Sequence, residues 1–333
     1  MYTLKPFANF CDPESLYASW RRFRRGKRRR KDILVFERHL EDELFSLSED
    51  LASGKYVHSE YHRFYIRDPK YRMIHKAVVR DRVAHQALYD ALQPLFENKF
   101  FFDSYSARFN KGTMRAIARV LSFIRKASKN GRQEAWIFHG DVDDFFSSID
   151  HEILLTRLEK SIPDKQYFDL SKQIIDSFSC APGKGLPLGN LTSQLFANAY
   201  LHELDYFTKQ TLCAKHYVRY NDDFFIVADS RLELENFATQ IKQFLRELLK
   251  LSLPDDKIKI RRLSQGVDIL GEAAFPWGVV PRSRLRKAAL RTITSATRKG
   301  YTEKWQSAVS YIGLLGNMKS FLLREKLRLA YLI

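Results

Sequence analysis

The chain has 333 residues, and its 56 Lys and Arg against 39 Asp and Glu give a formal net charge of +17. Hydrophobic residues make up 45%, with 25 Phe and 16 Tyr, enough apolar surface to exclude a wholly disordered chain; no apolar run approaches the roughly 20 residues that span a bilayer, and MYTLKPFANF lacks a signal peptide's apolar stretch. Cys11, Cys180 and Cys213 are scattered without CxxC spacing, which excludes a disulfide framework or a zinc site and fits a reduced cytoplasmic compartment.

The cations are concentrated at two ends. Nine of the eleven residues from Arg21 to Lys31 are basic and none is acidic, while twelve basic residues between Pro281 and Ile333 face only Glu303 and Glu325. The chain between is close to neutral, so two polyanion-gripping surfaces around a globular body are predicted, with nucleic acid as the default partner. The head, RRFRRGKRRRK, is of the arginine-rich kind that often orders only on binding. A structured non-coding RNA and an acidic accessory protein both fit it.

After the head, Leu40, Leu44, Leu47 and Leu51 fall at helical spacing up to Gly54. FYIRDPKYRMI predicts two short strands about the turn Asp68-Pro69, followed by a helix from Asp81 to about Leu95 and another, capped by Thr113, towards Ala127. AWIFHGDVDDFFSSI reads as a buried strand ending near Asp150, which can cap the helix HEILLTRLEKSI. Helical stretches from Asp164 to Ser179 and from Leu191 to Gln210 flank the loop CAPGKGLPLGN. HYVRY and FFIVA then form a hairpin around a short acidic turn, and a helix over Leu232 to Leu251 and strands IKIRRL and VDILGE follow. This order predicts an α+β fold with helices on one face of a sheet. No repeat or Pro/Gly/Ser linker separates these parts, so they are expected to pack against one another.

Two Asp-bearing elements stand out, Asp141 in HGDVDDFF and Asp222-Asp223 in YNDDFF. Acids at strand ends among Phe, Ile and Val are costly to bury without a cation. On adjacent strands they would suit Mg²⁺, which takes oxygen ligands, and two such ions can serve phosphoryl transfer. Residue types alone leave a second reading open, in which Asp222 and Asp223 decorate a turn where Asp is common. Asp143 and Asp144 read as solvated or structural.

Asp141-Val142-x-x-Phe145-Phe146, then Gly185-Leu186-Pro187-Leu188-Gly189-Asn190-Leu191-Thr192-Ser193-Gln194, then Tyr220-Asn221-Asp222-Asp223, resemble in order and spacing motifs A, B and C of reverse transcriptases. RDPKYRMIHKAVVRDRVAHQAL and SYSARFNKGT resemble the fingers motifs of the bacterial enzymes, and LSLPDDKIKI and GVDILGE resemble motifs D and E. The resemblance implies a right-hand polymerase fold, α+β, with an antiparallel palm sheet. Residues 1–34 would be a basic N-terminal segment, 35–275 the fingers and palm, and 276–333 a basic helical thumb without RNase H.

By the same resemblance, Asp141, Asp222 and Asp223, helped by the Val142 carbonyl, would hold two Mg²⁺ ions, with Mn²⁺ able to substitute. Phe146 falls at the steric gate that favours dNTPs. Lys70 and Arg72 match the triphosphate contacts, with Arg67 as an alternative, and Leu188 and Gly189 belong to the dNTP-binding loop. Lys257 matches the lysine that protonates pyrophosphate, with Lys259 on the same strand face as its competitor. The partners implied are an RNA template, a DNA or RNA primer and dNTPs, with no membrane. Head cations Arg21, Arg22, Arg24, Arg25, Lys27, Arg28, Arg29 and Arg30, and Arg284, Arg286 and Lys287 in the thumb, are the expected nucleic-acid contacts.

Among reverse transcriptases, Ser193-Gln194 and the aliphatic Leu188 most resemble diversity-generating retroelement enzymes, bacterial or phage-encoded, of low fidelity. The alternatives are an antiphage defence enzyme, self-primed or protein-primed, and a catalytically idle nucleic-acid scaffold.

Overall fold

A computed structural model describes residues 4–67, 71–299, 305–316, 318, 320 and 324–325. The chain opens on α1 (Phe7–Cys11), α2 (Pro13–Phe23), α3 (Lys31–Arg38) and α4 (Leu40–Ala52). The hairpin β1 (His62–Arg67) and β2 (Tyr71–Lys76) precedes α5 (Val79–Glu97) and α6 (Thr113–Ala127). β3 (Trp136–Asp141) leads through the single turn α7 (Phe145–Ser148) into α8 (His151–Ser161) and α9 (Lys165–Asp176). α10 (Leu191–Tyr206) runs on as a π-helix over Phe207–Thr211, then β4 (His216–Tyr220), β5 (Asp223–Ala228), α11 (Arg231–Leu248) and β6 (Ile258–Arg262). Three short strands, β7 (Val267–Ile269), β8 (Glu272–Phe275) and β9 (Gly278–Val280), precede α12 (Ser283–Lys299) and α13 (Trp305–Leu315).

The central sheet has the order β4-β5-β3-β6, antiparallel throughout. Alternation along its strands splits the core in two. Phe138, Tyr217, Phe224 and Ile226 face α10 and α11, whereas Ile137, Val218, Phe225 and Val227 face α6 and the small sheet β7-β8-β9. Helices therefore cover both faces, not the single face expected. The cause is α6, whose Ala116, Ile117, Val120, Phe123 and Ile124 are all buried and form one helical stripe that needs a sheet to rest on. Gly140 is required by packing, because a Cβ there would collide with the Phe224 ring.

Three local expectations need correction. The strand in AWIFHGDVDDFFSSI stops at Asp141, and Asp144 adopts a left-handed φ of 40° that redirects the chain; Asp150 still caps α8, accepting from the Ile153 N–H at 3.2 Å. Thr113 is the first residue of α6, not its cap, and its hydroxyl donates to the Tyr220 hydroxyl at 3.0 Å. VDILGE is no single strand, since Leu270 and Gly271, with φ of 50° and 96°, turn it into the β7–β8 hairpin.

The largest correction concerns the head, which is not a segment awaiting a partner to order. Leu16, Trp20 and Phe23 recur on one face of α2 and are buried against α5, with Trp20 and Phe36 rings 5.0 Å apart. Several cations are tied internally. Arg22 Nε donates to Asp90 at 2.8 Å, Arg24 pairs with Glu37, and Lys27 Nζ donates to the Phe23 carbonyl at 2.9 Å. Residue 34 lies inside α3, and residues 275 and 276 lie where β8 turns towards β9. No helix among the described residues is long and apolar enough to cross a membrane.

Candidate active site

Three aspartates stand where two strands of the central sheet end. Asp141 closes β3 and Asp223 opens β5, and the two are register partners, which sets their Cα atoms about 4.5–5.5 Å apart. Asp222 occupies the two-residue turn between β4 and β5, and its carbonyl accepts from the Val142 N–H at 3.3 Å. Asn221 takes a left-handed φ of 57°, a conformation that such a turn requires and that Asn tolerates. Its Nδ2 donates to Asp222 Oδ1 at 2.9 Å.

Burial, and then the charges of Asp223 and Asp141, push the Asp222 carboxyl up to about 6. Two neighbours are bonded to the flanking acids. Lys257 Nζ donates to Asp141 Oδ2 at 3.0 Å and lies 3.7 Å from Asp143 Oδ1; that hydrogen bond raises the lysine's own pKa. His139 Nε2 lies 2.7 Å from Asp223 Oδ1, and its ring stacks on Phe225. Lys257 sits in the 3₁₀ turn Asp255–Lys257, before β6 and not on the strand with Lys259 as expected.

An all-oxygen, mutually repelling set suits a hard divalent cation. Among the described residues no three His, Cys, Asp or Glu groups converge as ligands. As placed, Asp141 is turned onto Lys257 and Asp223 onto His139.

The residue patterns drew no attention to the group that anchors this turn. Arg219, fully buried, donates to the two Asp205 oxygens at 2.7 Å each, to Asn198 Oδ1 at 3.0 Å and to the Asn221 carbonyl at 3.2 Å. Tyr217 OH adds a bond to Asp205 Oδ1 at 2.7 Å. Alongside, the Arg219 N–H donates to the Asp103 carbonyl, and the Arg219 carbonyl accepts from the Tyr105 N–H, both at 2.9 Å. The signal was available. In HYVRY, Arg219 alternates with Tyr217 onto the core-facing side, where a cation needs an acid. His139 likewise went unnoticed, although it is two residues from Asp141 and hence on the same face.

The loop of residues 185–190 is fastened beside the acids. Gly185 N–H donates to the Ile149 carbonyl at 2.8 Å and Leu186 N–H to the Phe146 carbonyl at 2.7 Å. Phe146 is half-buried and set edge-on to Phe145, 5.4 Å between ring centres. The carbonyl of Leu188 accepts from the His75 N–H at 3.4 Å. Gly189 has φ 109°, and a Cβ there would stand 3.2 Å from Ile74 Cγ2, so this loop meets the β1–β2 hairpin. Arg72 is exposed on the Ile74 face of β2, whereas Arg67 is turned to the opposite face. Lys70 lies outside the described residues.

Head, hairpin and loop enclose a cavity of about 340 Å³ whose lining includes Lys27, Arg30, Lys76, Arg82, Asn190 and Gln194. Asn190 Nδ2 is buried there without a hydrogen-bond partner among the described residues. Burial works against charge on Asp32, yet hydrogen bonds from Lys76 and Arg82 hold its carboxyl down to about 2, which clamps α3 to the hairpin and to α5. Burial, with Arg82 and Arg30 nearby, lowers the Lys27 pKa. Arg21, Arg25, Arg28 and Arg29 are exposed. Far along the chain, Arg284, Arg286 and Lys287 are exposed on the first turns of α12, while Ala289 is buried.

Comparisons with known proteins bear on this arrangement. The chain is similar to Protein YkfC of Escherichia coli (strain K12), 26% identical over 302 residues that cover 78% of this chain and 77% of that protein. It is also similar to the group II intron-encoded protein LtrA of Lactococcus lactis subsp. cremoris, 23% identical, covering 69% of this chain and 49% of LtrA. Telomerase from Candida albicans, solved in complex with a fragment of telomeric RNA, matches with a TM-score of 0.51 at 12% identity, over 76% of this chain and 55% of that one. The chain thus spans about half the length of LtrA and of the telomerase, and the likeness to the latter is one of fold, the right-hand polymerase fold. Residues 66–314 match the family model described as reverse transcriptase (RNA-dependent DNA polymerase), and the chain belongs to that family.

Proposed function

We propose that this protein copies an RNA template into DNA, extending a DNA or RNA primer with dNTPs. The observation that carries the reading is the register that sets Asp141 beside Asp223 with Asp222 in the adjoining turn, where burial, and then the charges of the other two, raise the Asp222 pKa. Two Mg²⁺ ions, or Mn²⁺ in their place, would be held by these carboxylates and the Val142 carbonyl and would activate the primer hydroxyl and stabilise the leaving oxygen. Lys257, now bonded to Asp141, is placed to give a proton to departing pyrophosphate. Arg72 and Lys70 would meet the triphosphate, Phe146 would exclude a ribose 2′-OH, and Leu188 and Gly189 would border the new pair. Lys27 and Arg30 in the cavity favour RNA on the head side. Arg284, Arg286 and Lys287 would follow duplex phosphates.

Ser193-Gln194 and Leu188 favour a low-fidelity, diversity-generating retroelement-like system over an antiphage defence setting. A flat aliphatic contact at Leu188 offers no hydrogen bond with which to reject a mispair.

Primer extension on RNA with dNTPs and Mg²⁺ tests the main reading. Asp222→Asn should lower the rate about 10³-fold or more, since several kcal/mol of charge stabilisation are removed; activity surviving that change would sink the site, and no activity on any template would favour an idle scaffold. Leu188→Gln should lower misincorporation, measured by sequencing the products; an unchanged error spectrum would count against Leu188 as a fidelity determinant.

A further inference from the structure

The β1–β2 hairpin has a second face that none of these roles uses. Register partners of an antiparallel pair share a face, and successive residues alternate. Phe64, Ile66, Arg72 and Ile74 stand on one side, the side that meets Gly189 and lines the cavity. Arg63, Tyr65, Arg67, Tyr71 and Met73 stand on the other. Towards the base this outer face is covered, because His75 is buried edge-on against Phe178 with rings 4.6 Å apart. Further out it is open: Tyr65 is 57% exposed and Tyr71 61%.

These two rings are organised. They stack 4.6 Å apart and 14° from parallel, and the Arg67 guanidinium lies 5.8 Å from the centre of the Tyr71 ring. Neither strand, HRFYIR or YRMIHK, contains an acid. Exposed aromatic pairs mark contact surfaces, and the charge selects among contacts. A protein partner would have to bring acids to Arg63 and Arg67, whereas single-stranded nucleic acid brings phosphates and flat π-faces together. Base stacking on aromatic rings tolerates any sequence, and guanidinium groups add to it.

We propose that the outer face of this hairpin is a platform for single-stranded nucleic acid, with bases stacked on Tyr65 and Tyr71 and phosphates met by Arg63 and Arg67. It lies across the hairpin from the cavity and from Arg72, so strand binding here does not depend on the polymerase reading. A single-stranded oligonucleotide carrying 5-iodouracil, made as RNA and as DNA, serves as the probe for the full chain. Irradiation should crosslink it to Tyr65 or Tyr71, located by peptide mass mapping. The double variant Tyr65→Ala/Tyr71→Ala should lose that crosslink and bind about tenfold more weakly or worse, and Tyr65→Phe/Tyr71→Phe should bind like wild type. Arg63→Gln/Arg67→Gln should flatten the plot of log affinity against log salt by about 1.4. Asp222→Asn, inactive under the proposed chemistry, should crosslink normally, which separates this proposal from that one. Crosslinks confined to other residues, unchanged affinity in the alanine variant, or equal weakening by the phenylalanine variant would each overturn it; so would duplex competing as well as single strand.

Discussion

Two antiparallel hairpins in this chain carry the residues of greatest interest, and they are built on opposite principles. In β4–β5 the strand residues Tyr217, Val218, Arg219 and Phe224 to Val227 are buried, and the turn is fixed from beneath by a guanidinium with four oxygen-directed bonds, two to Asp205 and one each to Asn198 and the Asn221 carbonyl. In β1–β2 every residue of the first strand is exposed, and the hairpin is tied to the body at its base, through buried His75 and through Lys76 on Asp32. The buried hairpin places charges, and the open one offers surface. Repelling carboxylates need a frame that cannot relax away from them, whereas a stacking surface needs only to be accessible.

The sharpest way to break this contrast is at Arg219. Arg219→Met leaves Asp205 buried and unpaired and should cost about 3–5 kcal/mol, measured by chemical denaturation. Adding Asp205→Leu should recover a large part, since the uncompensated charge is gone. A loss below about 1 kcal/mol would mean that the turn is not anchored from beneath.

The β7–β8 hairpin provides an intermediate case. Glu272 is buried with Oε2 unpartnered among the described residues, and burial pushes its carboxyl from an ordinary 4.5 up to about 7. A carboxyl whose folded pKa is raised favours the fold fully below about pH 4.5, and that contribution is lost as pH rises through about 7. Thermal unfolding followed from pH 4 to 8 should therefore show a decline that Glu272→Gln flattens; identical profiles would show that this carboxyl is paired or hydrated. The smallest effect belongs to Asn221. Asn221→Ala forces a Cβ-bearing, non-capping residue into the left-handed region at about 1–2 kcal/mol, while Asn221→Gly should be tolerated, as a shift in melting temperature would show.

Local chemistry made much of this readable in advance. The acids at strand ends, the order strand, helix, hairpin, helix, strand, and the Asp150 cap all depend on neighbours within a few residues. What escaped reading depends on distance along the chain. Arg219 needs Asp205 and Asn198 from α10, and α6 is assigned its face of the sheet only by what packs there. The head misled for a different reason. Its dense positive charge drew attention from Leu16, Trp20 and Phe23, whose spacing of four and then three residues already described a buried helical face.

That buried face governs how the head can be studied. Trp20 and Phe23 roof part of α5, so cutting away the basic run together with α2 would strip apolar cover from the body, and an insoluble product would be mistaken for a failure to grip RNA. Substituting glutamine at Arg21, Arg25, Arg28 and Arg29, which point into solvent, removes the charge and leaves the roof in place.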